Sequence, residues 1–148
     1  MPRTLRPILS FVASALVACA APTAPPPTLA GTQWQLMAIQ SMDDAQGTTR
    51  PSTPQHYTVS FGADGRATLR LDCNRAFATW QATPSADGVS GQLMLGPLAG
   101  TRANCGPDSL DQRLTRQLPY VRSYLLRDGQ LHLSLMADGG ILSWSPLK

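Results

Sequence analysis

Residues 57–74 read Tyr57-Thr58-Val59-Ser60-Phe61-Gly62-Ala63-Asp64-Gly65-Arg66-Ala67-Thr68-Leu69-Arg70-Leu71-Asp72-Cys73-Asn74. Tyr57, Val59 and Phe61 alternate with Thr58 and Ser60, and Ala67, Leu69 and Leu71 alternate with Thr68, Arg70 and Asp72. A period of two sends successive side chains to opposite faces, so each run reads as a strand with one apolar face. Asp64-Gly65 between them is a hairpin signal, because a type I′ turn needs positive φ at both central residues. The dipeptide recurs at Asp87-Gly88, Asp128-Gly129 and Asp138-Gly139. Turns of this kind among short apolar segments predict an antiparallel meander.

Outward from this hairpin, further strands are predicted near residues 33–39 (with Trp34, Leu36 and Ala38 on one face), 77–82, 92–95, 123–127, 130–135 and 141–145. Residues 42–55 are polar, contain Pro51 and Pro54, and read as a loop. One segment breaks the period. After Pro107-Asp108-Ser109, Leu110, Leu114 and Leu118 recur at i, i+4 and i+8, and Pro119 disfavours helix at Leu118. A helix of about ten residues is marginal alone in water and must lay its leucines on the sheet, plugging one mouth of a curled barrel. The expected fold class is α+β and β-rich: an antiparallel meander of about seven to eight strands curled into a barrel-like sheet, with one amphipathic helix.

The N-terminus reads as an address. Arg3 and Arg6 precede an apolar run from Ile8 to Val17, which is too short for the roughly 20 residues of a bilayer span and suits a signal-peptide core. Leu16-Val17-Ala18-Cys19 matches the lipobox of bacterial lipoproteins, in which the cysteine is acylated and becomes the new N-terminus. Buried acyl chains hold a protein by about 0.8 kcal/mol per CH2. The expected organisation is a lipoprotein signal peptide over 1–18, acylated Cys19 with a Pro/Ala-rich tether over 19–28, and one domain over 29–148. Ala20 stands where Asp would signal inner-membrane retention, so the expected location is the periplasmic face of the outer membrane, through the N-terminal acyl chains.

Composition narrows the function. Only 14% of residues are charged, and the nine acids are all Asp. The formal +3 falls to +1 once Arg3 and Arg6 leave with the signal, which removes the electrostatic case for nucleic-acid binding. Two His, no Glu and three Cys leave little for a metal site or a carboxylate-pair enzyme. There is no Gly-x-Ser-x-Gly, His-Glu-x-x-His or phosphate-cradling Gly loop. His132 falls on the polar face of its strand and His56 at a loop edge. The expectation is a non-catalytic monomer without cofactor or metal.

With Cys19 acylated, Cys73 and Cys105 remain, and two leftover cysteines in an exported domain are expected to pair. The loop of about 33 residues would be worth roughly 3–4 kcal/mol in the chain-entropy model. Free buried thiols are the alternative, with a catalytic or metal-binding thiol behind them.

Two stretches carry a family resemblance. Asp72-Cys73-Asn74-Arg75-Ala76-Phe77-Ala78-Thr79-Trp80 resembles the Cys-Asn segment of the META-domain (HslJ-like) family of bacterial lipoproteins. Leu95-Gly96-Pro97-Leu98-Ala99-Gly100-Thr101-Arg102-Ala103-Asn104-Cys105 is similar to that family's Gly…Thr-Arg-Met-x-Cys stretch ahead of its helix. The likeness runs over residues 29–146, with Trp34 and the closing hairpin from Arg127 to Trp144 in place; it departs where Leu69, Arg70 and Ala78 stand without the family's glycines, and at Asn104. It implies a compact β-rich domain with one helix and a binding or envelope stress-response role facing the periplasm, with no catalytic residues to carry over. Asn74, Arg75, Thr101 and Arg102 then have two readings. One is structural, with Asn74 bonding its own turn and Thr101-Arg102 bracing the loop at Cys105. The other is an interaction patch whose two Arg meet an acidic partner, an unknown periplasmic protein or ligand. Competing functions are an inhibitor of a secreted hydrolase such as lysozyme, whose Gly96–Asn104 loop would protrude into a cleft, and a pilotin-like lipid- or peptide-binding barrel, which needs an apolar cavity.

Overall fold

The computed structural model describes residues 28–136 and 138–147. The segments expected to be a signal peptide, an acylated Cys19 and a tether, up to residue 27, lie outside the described residues.

Ten strands form one antiparallel sheet: β1 (Thr32–Gln40), β2 (Thr48–Thr49), β3 (Tyr57–Phe61), β4 (Arg66–Leu71), β5 (Asn74–Pro84), β6 (Ser90–Leu95), β7 (Ala99–Gly100), β8 (Val121–Arg127), β9 (Gln130–Leu135) and β10 (Ile141–Pro146). Eight of them close a barrel in the order β1-β3-β4-β5-β6-β8-β9-β10, with β10 returning to β1 from Trp34↔Pro146 to Gln40↔Ile141. Closure leaves no free edge along the barrel wall. The two short strands lie outside the ring, β2 on β1 and β7 on β5. Period two survives in the burial: Tyr57, Val59 and Phe61, and Ala67, Leu69 and Leu71, all point inward.

The turn chemistry differs from the expectation at three of the four Asp-Gly sites. Only Asp128-Gly129 is a two-residue turn with both φ values positive (53° and 71°), joining Arg127 to its partner Gln130. At Asp64-Gly65 the loop runs over Gly62–Gly65, and Asp64 keeps an ordinary φ while its carboxylate accepts the Arg66 N–H at 3.0 Å. Asp87 likewise accepts the N–H groups of Val89 and Ser90. In these loops aspartate acts as a local backbone acceptor, leaving positive φ to the glycine. Asp138 has positive φ, but the second positive residue is Gly140. A tight two-residue hairpin forms instead at Asp72-Cys73, with Asp72 at φ 61° and Leu71 paired to Asn74.

The interior is occupied by side chains from all eight barrel strands, among them Leu36, Phe61, Leu69, Ala76, Leu93, Tyr124, Leu131 and Trp144. Phe61 and Trp80 meet edge to face at 5.2 Å, and the half-buried Trp80 donates to the Gly62 carbonyl at 3.0 Å. A bulge in β1 between Leu36 and Ala38 shifts the alternation: Ile39, opposite Leu142, turns inward, while Ala38, opposite Ser143, is buried on the outer face and not on the face of Trp34 and Leu36 expected from the sequence. β6 and β8 are neighbours in the wall but are joined by the long segment 96–120, which carries β7, Cys105 and the helix.

That helix, α1 (Asp111–Gln117), is shorter than expected and starts later. Leu110 is its N-cap, with φ −90° and ψ 3°, and the Leu110 N–H donates to the Tyr57 hydroxyl at 3.1 Å, which ties the segment to the barrel mouth. Past Gln117 the chain tightens into a 3-10 turn over Leu118–Tyr120, which accommodates Pro119. Leu114 and Leu118 have no exposure and plug the mouth formed by the end of β1, the starts of β3, β5 and β8 and the end of β4. A lipid-holding barrel would need that interior empty; these leucines and the strand side chains occupy it.

Candidate functional site

At the plugged mouth the hairpin Asp72-Cys73 brings the start of β5 under the segment that follows β7. Cys73 and Cys105 are disulfide-bonded, with Cα atoms 5.6 Å apart. The pairing expected from the sequence is therefore present, and it pins a segment thirty-two residues downstream onto the β4–β5 turn.

Asn74, next to the bridge, is 4% exposed and fully bonded. Its Nδ2 donates to the Ala103 carbonyl at 2.9 Å and to Asp111 Oδ2 at 3.0 Å, and lies 3.3 Å from Cys105 Sγ. Its Oδ1 accepts the Thr101 hydroxyl at 2.9 Å and the Ala103 N–H at 2.8 Å. An amide has two donors and room for two bonds on its oxygen, so this side chain is saturated. The structural reading of Asn74 holds, with different partners: it bonds the 101–103 segment and the helix, not its own turn. Thr101 belongs to the same network, since its Oγ1 also accepts the Arg75 N–H at 3.0 Å. Gly100 is needed here, because a Cβ at that position would run into the carbonyl oxygen of Arg75 where β7 crosses β5.

These bonds press residues 99–103 flat against β5. The Gly96–Asn104 loop therefore does not protrude, and the inhibitor reading loses the feature on which it rested. Between this segment and α1 lies an open cleft of about 500 Å³. Leu71, Asn74 and Ala76 line it from the barrel, Leu98 and residues 100–104 from one side, and Asp111, Gln112, Thr115 and Arg116 from the helix. Of the four residues singled out as a patch, Asn74 and Thr101 frame the cleft, Arg102 lines it and is exposed, and Arg75 points to solvent on the outer face of β5 without lining it.

Beside the cleft, Asp72 faces the hydroxyl of Ser109 and the imidazole of His56. Ser109 is the largest cause, ahead of the His56 hydrogen bond and charge, that holds its carboxyl below the usual value of 3.8, against partial desolvation. His56 Nδ1 lies 3.1 Å from Asp72 Oδ1, the one contact within 4 Å between a basic side chain and a carboxylate among the described residues. His132 is remote, bonded to Ser143 at 3.0 Å. No group of three or more His, Cys, Asp or Glu suited to a metal occurs among the described residues. Sequence reasoning missed Asp111 as a partner of Asn74, and Gln112 and Arg116 as lining. The only signal for them was the helix that places them.

Comparison with known proteins fits this architecture. The META domain family model matches residues 27–146. No curated protein matches the chain. Among solved structures, the crystal structure of a DUF4847 family protein from Bacteroides vulgatus is similar at 12% identity and a TM-score of 0.53, covering 79% of this chain and 93% of that one. At that identity the likeness concerns the fold.

Proposed function

This chain belongs to the META-domain family, and we propose that it is a non-catalytic binding protein, held on the periplasmic face of the outer membrane by acyl chains on Cys19, that engages a partner through the cleft in the course of envelope stress. The observation that carries the binding reading is the cleft itself: an open concavity whose walls are preorganised by the disulfide and by a saturated buried asparagine. Preorganisation lowers the ordering cost of binding.

The topology supports display. The described chain enters the barrel at the mouth away from the cleft, where the Gly31 N–H donates to the Phe61 carbonyl and Leu29 is buried. Residues 19–28 span at most about 35 Å when extended. A lipid anchor at Cys19 would therefore attach at the end of the barrel opposite the cleft, within reach of that tether.

Two measurements test the two parts. Cys19→Ser should release the protein from the outer-membrane fraction or block its processing; unchanged fractionation sinks the anchor. Gln112→Trp, at an exposed position lining the cleft, should abolish capture of a partner from envelope extract. Capture unaffected by that block would place binding elsewhere.

A further inference from the structure

We infer that the cleft takes an extended, acidic segment of a protein partner, with a carboxylate held between Arg102 and Arg116 and the peptide backbone aligned along residues 102–104; this rests on the reading of the cleft as a binding site.

Charge gives the first argument. Three arginines near this mouth are already engaged: Arg70 donates to the carbonyls of Asp72 and Gln55, Arg113 to the Thr49 hydroxyl, and Arg122 to the carbonyls of Pro119 and Val121. Arg102 and Arg116 are exposed and have no side-chain partner among the described residues, although both line the cleft. The single acid of the lining, Asp111, is buried and has Oδ2 bonded to Asn74. Two open guanidinium groups thus face one carboxylate already engaged. A guanidinium pairs best with a planar carboxylate, through charge-assisted parallel bonds.

The backbone gives the second. From β7 onward alternate N–H groups are used on the barrel side: Thr101 donates to the Arg75 carbonyl and Ala103 to Asn74 Oδ1. The intervening N–H groups, of Arg102 and Asn104, have no partner among the described residues. This alternation is that of an edge strand, bonded on one side and open on the other. Such an edge recruits an extended peptide by main-chain bonds, while neighbouring pockets select its side chains. Leu71, Ala76 and Leu98 give the cleft an apolar floor for a residue next to the acid. An anionic lipid headgroup would use the arginines but not the open edge, so the peptide is favoured.

The test uses the full-length mature chain, isotopically labelled, titrated with acetyl-Val-Asp-Val-Asp-Val-amide and with acetyl-Val-Lys-Val-Lys-Val-amide. The aspartyl peptide should bind, weaken with added salt, and shift the backbone amides of Arg102 and Asn104. Arg102→Ala and Arg116→Ala should each weaken it by about tenfold. Arg102→Glu combined with Arg116→Glu should reverse the preference towards the lysyl peptide. Equal affinity for the two peptides, affinities untouched by these substitutions, or shifts confined to other surfaces would overturn the proposal. If the double variant misfolds, the shift map of the unsubstituted chain still decides. Arginine-dependent binding to phosphatidylglycerol vesicles with no binding of the aspartyl peptide overturns it in favour of a lipid. A partner lost on Gln112→Trp but retained by both alanine variants would overturn the acidic occupant alone, leaving the cleft as the binding site.

Discussion

Replacing Asn74 by alanine tests the central device of the cleft. The substitution removes two donated bonds, to Ala103 O and to Asp111 Oδ2, and two accepted bonds, from Thr101 and from the Ala103 N–H. A neutral hydrogen bond contributes about 1 kcal/mol net and one to a charged group about 2 kcal/mol, so the gross loss is near 5 kcal/mol. The site forms the wall of an open cleft, and water entering there recovers part of this for Thr101 and Ala103. The Asp111 carboxylate, buried beneath, recovers least. The net cost should be about 3 kcal/mol. With a urea slope of about 2 kcal/mol per molar, the unfolding midpoint falls by about 1.5 M. The assay is equilibrium urea unfolding of protein with the disulfide intact, so that the crosslink is common to both variants. Asn74→Asp is the companion: it keeps the shape but sets a second carboxylate against Asp111, and protonation relieves the repulsion. Its penalty should therefore shrink as pH falls towards about 4 and grow as pH rises. An Asn74→Ala cost below about 1 kcal/mol, or an Asn74→Asp penalty that ignores pH, would refute the reasoning.

Further outcomes follow from other sites. Reducing Cys73–Cys105, or replacing both by serine, should cost about 3–4 kcal/mol by chain entropy, and non-reducing mass spectrometry of Cys19→Ser protein should find no free thiol; two alkylatable thiols would end the pairing. Asp72, whose folded-state pKa is depressed, contributes stability that is fully present above 3.8 and lost as pH falls through its lower folded value. Asp72→Asn should flatten that acid limb of a Tm against pH profile, and an unchanged limb counts against it. Gly100→Ala should destabilise by about 1–3 kcal/mol, because the new Cβ meets fixed backbone of β5; a neutral result would mean that β7 moves freely. Trp144 is fully buried and its Nε1 has no partner among the described residues, so Trp144→Phe should cost far less than the about 3–5 kcal/mol of Trp144→Ala. Equal costs for the two would show that the indole N–H is satisfied.

Much of the barrel was legible residue by residue. Gln130–Leu135 was predicted with its bounds, and Asp128-Gly129 with its turn, because strand and turn there depend on neighbours within a few positions. The start of β5 at Asn74 was not visible, since Ala76 and Ala78 are too small to mark an apolar face. β7 was missed altogether: two residues, one a glycine, carry no period. The late start of the helix goes with a tie from the Leu110 N–H to Tyr57, fifty-three positions earlier, which no local pattern reports. At the cleft, the Cys-Asn and Thr-Arg segments were recognisable, but their assignment as one patch blurred two roles. Asn74 and Thr101 turn inward as bracing, while Arg102 stays free.

The sequence by itself determined the strand-rich class and the helix, because these follow from local periodicity and turn residues; the motifs around Cys73 and Cys105 carried the family resemblance, and the pairing of the two was an expectation that the structure bears out. Only the tertiary structure decided that the sheet closes through β10 and β1, that the helix plugs one mouth, and that Asn74 joins Ala103 to Asp111. Those depend on contacts between residues tens of positions apart. A hydrogen-bond inventory states what a side chain can donate or accept; which groups meet it is settled when the barrel closes and brings them within 3 Å.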